Sequence, residues 1–492
     1  MMPILTTFSW ICLIQPRSIL LSQLTSCHGL GLGGGCLQFD WNSITAFLGS
    51  PIVPPFWSQL NIFVGFILFA WIVVPFTYYT NLWNTKLFPI VSNNLYTING
   101  TVYKHTFILD KQSQFNETAY ELYSPVRMTV MFAFHYGIHF AILTSIIMHT
   151  ILWHSQDLIT QLKTSIKNSL STKVIITTRN TVVPDYWFVI LFVVTFIVTI
   201  IMCHIGQLIP VYYLFVAIII PFLFILPAGI IVAITGQWIN VNVLCDFVGG
   251  LLLHGNPIGN ITFLTFAREP LLNALSLCSE LKNGDYLKIP TRSLFIAHLL
   301  GMLIGGFVNY TTSSYMLNTV ENICTLENPL WSCPKILTLY STSVIWGILG
   351  PRKIFGKISP YSHLLWGFLL GLLLPILFWF IYKKIYPQRH WLKYIHVPVM
   401  LIGIGMMPTT SAGNYVTWLL IGFVCNYILH KYSLQWWKQY AYIFSIAMDS
   451  GVAVSGIFIF FIFSHQNIKF PKWWGLANDG GCPLARKTFS GK

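Results

Sequence analysis

Apolar runs of about 20 residues recur along this chain from end to end, with charge confined to short stretches between them. A helix of that length covers roughly 30 Å, the thickness of the hydrocarbon core of a bilayer. The runs fall at 3–24, 56–80, 128–153, 186–203, 207–235, 293–316, 336–351, 361–382, 394–412, 414–432 and 441–464. The stretch 236–280 is too polar for an ordinary span and too apolar for a loop. Its centre, Gly255-Asn256-Pro257-Ile258-Gly259, breaks a helix in the middle and predicts two half-helices meeting at a turn. Irregular backbone at membrane depth is tolerated where it is buried in protein or lines a cavity, and broken helices of this kind build transporter sites. The glycines and proline of GIGMMPTTSAGN (403–414) mark a second interruption, read as a turn between two spans. The expected fold is an all-α polytopic membrane protein of about 10–13 transmembrane or re-entrant helices. Its membrane domain covers 1–465, and a polar tail follows at 466–492.

The polar stretches predict an orientation. Lys163, Lys167, Lys173 and Arg179 place 154–185 in the cytoplasm, and KNGDYLKIPTR (282–292) reads the same way. The long loop 81–127 then lies outside, where its two sequons, Asn99-Gly-Thr and Asn116-Glu-Thr, belong. Sequons at Asn260 and Asn309 lie too near the bilayer to orient anything. After residue 350 the charge bias conflicts with itself. RKIFGK (352–357) and KKIYPQRHWLK (383–393) are both basic although one span separates them. A weak echo links Leu48-Gly49-Ser50-Pro51, Gly65-Phe66 and Pro75 to Leu349-Gly350-Pro351, Gly367-Phe368 and Pro375, as an internal repeat would.

Composition excludes more than it identifies. Charged residues make up 9% of the chain, against about 25% in soluble domains. The net charge of +14 fits attraction to anionic lipid rather than to nucleic acid, because no basic stretch interleaves with aromatics. No HExxH, GxSxG or clustered acidic pair appears, so an enzyme is not expected, nor is a cofactor. Gly29-Leu-Gly31-Leu-Gly33-Gly34 matches a dinucleotide-binding glycine pattern, but it lacks the strand and helix that give that pattern meaning. These glycines read as sites of close backbone approach. Most of the 10 cysteines, Cys12 among them, lie in apolar runs as small hydrophobes, whereas Cys324 and Cys333 bracket a polar loop and are placed to pair in an oxidising compartment.

Ionisable residues inside the apolar segments are the functional candidates. His135 and His139 share a helix face, with His149 close to it. They are either neutral packing groups, a proton relay or substrate contact, or a metal site. Asp246, Arg268 and Glu269 flank the broken hairpin. Asp246, just before Phe247-Val248-Gly249-Gly250, is the better cavity candidate, and Asp449 among small residues is the second.

Several motifs are similar to those of the oligopeptide transporter family, in its plant peptide-transporting branch. KIPTR, from Lys288 through Ile289, Pro290 and Thr291 to Arg292, resembles the family's KIPPR signature, with Thr291 in place of the second proline. SVIWGILGPRKIFG (343–356), LLWGFLLGLLLP (364–375), GMMPTTSAGNY (405–415), WWGLANDGGCPLA (473–485) and, near the start, SCHGLGLGG and FDWNSITAFLGSP extend the likeness over essentially the whole chain. The resemblance implies a multi-pass helical importer, expected in the plasma membrane, that couples small oligopeptides to protons. Glutathione or metal chelates are the alternative substrates. Members of this branch are longer, and their N-terminal NPG motif has no counterpart here. An N-terminally truncated, inactive or regulatory subunit is therefore the other expectation.

Overall fold

The computed structural model describes residues 7–110, 115–170, 183–324, 342–357 and 359–464, with single positions at 339 and 468 and, in the tail, at 482, 484–485 and 487–489. Eight of its helices are long and apolar enough to cross a membrane: α3 (Phe56–Tyr79), α5 (Val130–Thr164, continuing to Leu170), α6 (Asp185–Ile205), α7 (Val211–Thr235), α10 (Thr291–Thr319), α12 (Ser362–Ile385), α14 (Ala412–Tyr432) and α15 (Leu434–Phe463). Among them lie short helices that cannot span: α1 (Ile19–Thr25), α2 (Trp41–Leu48), α4 (Glu117–Tyr123), α8 (Asn242–Leu252), α11 (Gly350–Phe355) and α13 (Val397–Gly405). The long α9 (Pro257–Leu287) completes the set, its apolar character interrupted by Arg268 and Glu269. The one sheet described is a two-stranded antiparallel ribbon, β1 (Thr7–Ser9) with β2 (Cys36–Gln38).

Two apolar runs are not spans, and a third is described only in part. Run 3–24 contributes β1 and the short α1, because Gln15-Pro16-Arg17 ends any helix there. A disulfide between Cys27 and Cys36 then closes the glycine-rich loop. Cys12 is likewise no packing thiol but half of a disulfide with Cys482. In run 336–351 the described part is a π-helical segment, Val344–Leu349, leading into α11. Run 394–412 yields only the nine-residue α13, about 13.5 Å long and so half a membrane deep. Cys324 is disulfide-bonded, and Cys333 lies outside the described residues.

Contacts at the helix ends orient the bundle and resolve the conflict between the two basic loops. RKIFGK sits at the end occupied by loop 81–127. There Lys353 pairs with Glu117, holding that carboxyl below its ordinary pKa range, and lies 4.8 Å from the Phe115 ring centroid. From this end α12 runs alongside α5. Tyr361 Oη accepts from Met128 N (2.8 Å) at the start, and Tyr382 stacks on Trp153 (5.2 Å) near the finish, which carries KKIYPQRHWLK to the opposite end. The tail returns to the loop end, where Phe489 N donates to Tyr78 Oη (3.3 Å).

Two runs of elements follow the same order. A span (α7), a short helix (α8), a long helix back (α9) and a span (α10) are matched by α12, α13, α14 and α15. The echo between Gly49 and Gly350 is also conformational, with both at φ 72°, which favours glycine. Helices pack where small residues let backbones approach. α3 meets α13 at Gly403, whose added Cβ would lie 2.5 Å from Ile62 O, and α5 meets α12 at Gly371, where it would lie 2.0 Å from Ala141 O. Gly403→Val is expected to destabilise the protein by about 1–3 kcal/mol through overpacking, read as a lower unfolding midpoint of the detergent-purified protein.

Candidate functional site

Two broken hairpins pack against α5. In the first, α8 and α9 meet at the predicted break. Gly255 takes φ 82°, Asn256 Oδ1 caps α9 by accepting from Gly259 N (2.8 Å), and Gly255 N donates to Gly347 O (2.9 Å) in the π-helical segment. Pro257 opens α9, where its missing N–H costs nothing. In the second, α13 and α14 meet at residues 406–411.

A half-helix that stops inside a membrane protein exposes backbone groups that water cannot reach, so side chains must serve them. The histidine ladder of α5 does this for α13. Tyr415 Oη donates to Gly403 O (2.5 Å), His139 Nε2 to Gly405 O (3.1 Å) and His135 Nδ1 to Met407 O (2.9 Å). A carbonyl only accepts, so these contacts assign the protons to His139 Nε2 and His135 Nδ1. Asn61 Oδ1 accepts from His396 N (2.9 Å) just before α13 starts, and the His396 ring lies 3.9 Å from that of His149. Ten residues of α5 separate His139 from His149, about 15 Å of rise, which matches the nine-residue α13 between them. The three histidines share a face because they brace one short helix at both ends. No cluster of three or more metal-ligating side chains exists among the described residues.

Beside the histidine ladder a second polar cluster is buried, reached from α5 by Tyr136. Asp246 on α8 is 5% exposed and forms no salt bridge among the described residues; Asn260 Nδ2 donates to its Oδ1 at 3.4 Å. Tyr136 lies in the same electrostatic neighbourhood and packs edge-on to Trp346, with ring centroids 5.0 Å apart. Tyr136 Oη, Trp346 Nε1 and Asn260 Oδ1 are buried without a hydrogen-bond partner among the described residues. The Tyr136 hydroxyl and the Trp346 indole are neighbours that fall short of bonding geometry. Three orphan polar groups beside a buried carboxylate make this cluster a candidate functional site.

The remaining candidates are dispersed. Arg268 pairs with Glu269 on a partly exposed stretch of α9. Asp449 Oδ1 accepts from Trp41 Nε1 (2.7 Å), tying α15 to α2. Lys288, at φ 56°, and Ile289-Pro290 turn the chain from α9 into α10, which opens at Thr291-Arg292; Thr291 Oγ1 accepts from Val183 N (3.3 Å). A polar cavity of about 490 Å³ lies at the loop end over the second hairpin. Its walls include His28, Asn93, Asn94 and Tyr96, and its floor is Met407-Pro408-Thr409, the turn that His135 holds. Sequence reasoning passed over Tyr136, Trp346, Asn260, Asn61 and His396, since single polar atoms on otherwise ordinary membrane residues leave no pattern to read.

His135→Ala and His139→Ala are each expected to strand a buried carbonyl at a cost of about 1–3 kcal/mol. Thermal unfolding of the two single variants and the double variant checks this. Rings 4.4 Å apart should give a non-additive double variant.

Oligopeptide transporter 7 of Arabidopsis thaliana is 36% identical to this chain over 488 residues, covering 98% of the chain and 63% of the relative. Oligopeptide transporters 2 and 3 of the same plant are 34% and 36% identical, over 98% of the chain and 66% of each relative. The chain thus spans about two thirds of the length of these curated relatives. No solved structure matches it. Residues 1–463 match the family described as OPT oligopeptide transporter protein, and the chain belongs to that family.

Proposed function

We propose that this protein moves small oligopeptides across the plasma membrane together with protons, by alternating access. The observation that carries the reading is Asp246, buried in a membrane-embedded helix without a salt bridge among the described residues, with Arg268 in its electrostatic neighbourhood and the orphaned Tyr136 Oη, Trp346 Nε1 and Asn260 Oδ1 close by. An uncompensated charge at that depth costs roughly 2.5–3.5 kcal/mol on insertion scales. A carboxyl that takes up and gives off a proton during the cycle relieves this cost in half of the cycle. That is the chemistry a proton-coupled carrier requires.

The peptide's place in this reading is the cavity over residues 407–411. Its volume falls within the range of small-ligand pockets, about 300–1,000 Å³, and among the described residues no Asp, Glu, Lys or Arg lines it. Amides and hydroxyls from Asn93, Asn94, Tyr96, Thr409 and Ser411 match the hydrogen-bonding groups of a peptide backbone, which every sequence shares. α5 connects the two places, with His135 on the cavity's turn and Tyr136 beside Asp246. A shift of α5 along its axis would reach both hairpins at once. The neighbouring residues Gly255, Asn256, Pro257 and Gly259 serve as the fixed end of this arrangement, since the first hairpin's tip is tied to Gly347. Arg268 and Glu269 remain candidates for the proton's exit path, as does Asp449.

Reconstitution of the full chain in liposomes tests the reading. An inward-directed proton gradient is expected to drive uptake of a labelled tetrapeptide. Asp246→Asn is expected to abolish that stimulation while leaving gradient-independent peptide exchange. Gradient-driven uptake that survives the substitution would sink the role of Asp246, and uptake of a metal chelate but not of peptide would sink the substrate.

A further inference from the structure

Four Asn-X-Thr sequons occur in the chain, and the structure separates them sharply. Asn260 is fully buried with its Nδ2 turned to Asp246, and Asn309 lies inside the membrane-spanning α10. Asn99 and Asn116 are exposed on loop 81–127. Asn99 sits in a tight turn, where Gly100 N donates to Thr97 O (3.1 Å) and Thr97 N to Thr101 O (2.9 Å). Asn116 caps α4. Its Oδ1 accepts from Ala119 N (3.1 Å) and from the sequon's own Thr118 Oγ1 (2.7 Å), which leaves the Nδ2 to bear a substituent.

The same end of the bundle carries the Cys27–Cys36 and Cys12–Cys482 disulfides: the 27–29 segment lines the loop-end cavity, and the tail beyond Cys482 packs on Tyr78 and Tyr79. Disulfides and N-linked sugars are added in one compartment, the oxidising lumen of the secretory pathway. The basic stretches 154–185 and 282–292 argue independently that the other end faces the cytoplasm.

We infer that Asn99 and Asn116 are N-glycosylated, and that Asn260 and Asn309 are not. The step joins each Nδ2 to the anomeric carbon of a lipid-diphosphate-linked oligosaccharide supplied by the host. The C–O bond to the diphosphate breaks, the amide proton goes to a base, and the lipid diphosphate leaves. The inference goes beyond the transport reading and does not depend on which solute crosses.

The test is the full chain expressed in a eukaryotic host and treated with an amidase that removes N-linked glycans. Two steps of mobility shift are expected. Asn99→Gln and Asn116→Gln should each remove one step, and Asn309→Gln should remove none. Absence of any shift, or a shift indifferent to Asn99→Gln and Asn116→Gln, overturns the assignment. One step only overturns it for the asparagine whose substitution changes nothing. Blocking free thiols before reduction gives a second reading. Cys27 and Cys36 that react without reductant would place this end in the cytoplasm and overturn the inference as well.

Discussion

A helix that ends halfway through a membrane protein must have its terminal backbone groups bonded to something other than water, and the interior of this protein is arranged around that requirement. The nine residues of α13 stop at Gly405, and α5 and α14 supply the missing donors through His139, His135 and Tyr415. At the start of α13 the duty falls to Asn61, with His149 against His396. The first hairpin solves the same problem by capping itself with Asn256 and by pairing Gly255 with the carbonyl of Gly347. Each solution fixes a neighbouring element in place, so the positions of α3, α5 and the π-helical segment before α11 follow from the need to close two short helices.

This arrangement bears on which polar groups are spoken for. Those that serve a helix end spend one polar atom on its backbone and hold the scaffold, although His139 Nδ1 and His396 Nδ1 are left without a partner among the described residues. Those left over, around Asp246, have no structural debt to discharge. The two classes lie on adjoining faces of α5, with Tyr136 one residue from His135 and three from His139. A motion of α5 that breaks a bond on one face therefore changes the surroundings of the other. That is the minimum mechanical requirement for linking an ion step to a change of access.

Much of this architecture could be read in advance. Most of the apolar runs became spans because only a helix satisfies its own backbone in lipid, and the break at Gly255–Gly259 sits where its glycines and proline place it. Length did not separate the runs that misled from those that became spans. Hydropathy reports what a segment tolerates, so 3–24 and 394–412 looked like spans although one is cut by Gln15-Pro16-Arg17 and the other stops at Gly405. The spacing of His135, His139 and His149 was visible, but its reason was not, because the element it matches lies some 250 residues further on. The pairing of Cys12 with Cys482 was beyond reach for a similar cause: nothing local distinguishes a cysteine whose partner is 470 positions away. Tyr136 and Trp346 stood out least, since aromatic residues are common throughout this chain and only the packing shows their polar atoms to be alone.

The bond between Cys12 and Cys482 turns a linear polymer into a ring. Every transmembrane helix lies on that ring, and Lys487 and Phe489, just past its closure, pack on the N-terminal half through Gln23 and Tyr79. A nick anywhere along the ring leaves a single covalent object, and the first and last spans cannot drift apart while the bond holds. The closure keeps the tail on the N-terminal segment at the loop end whatever the helices between them do.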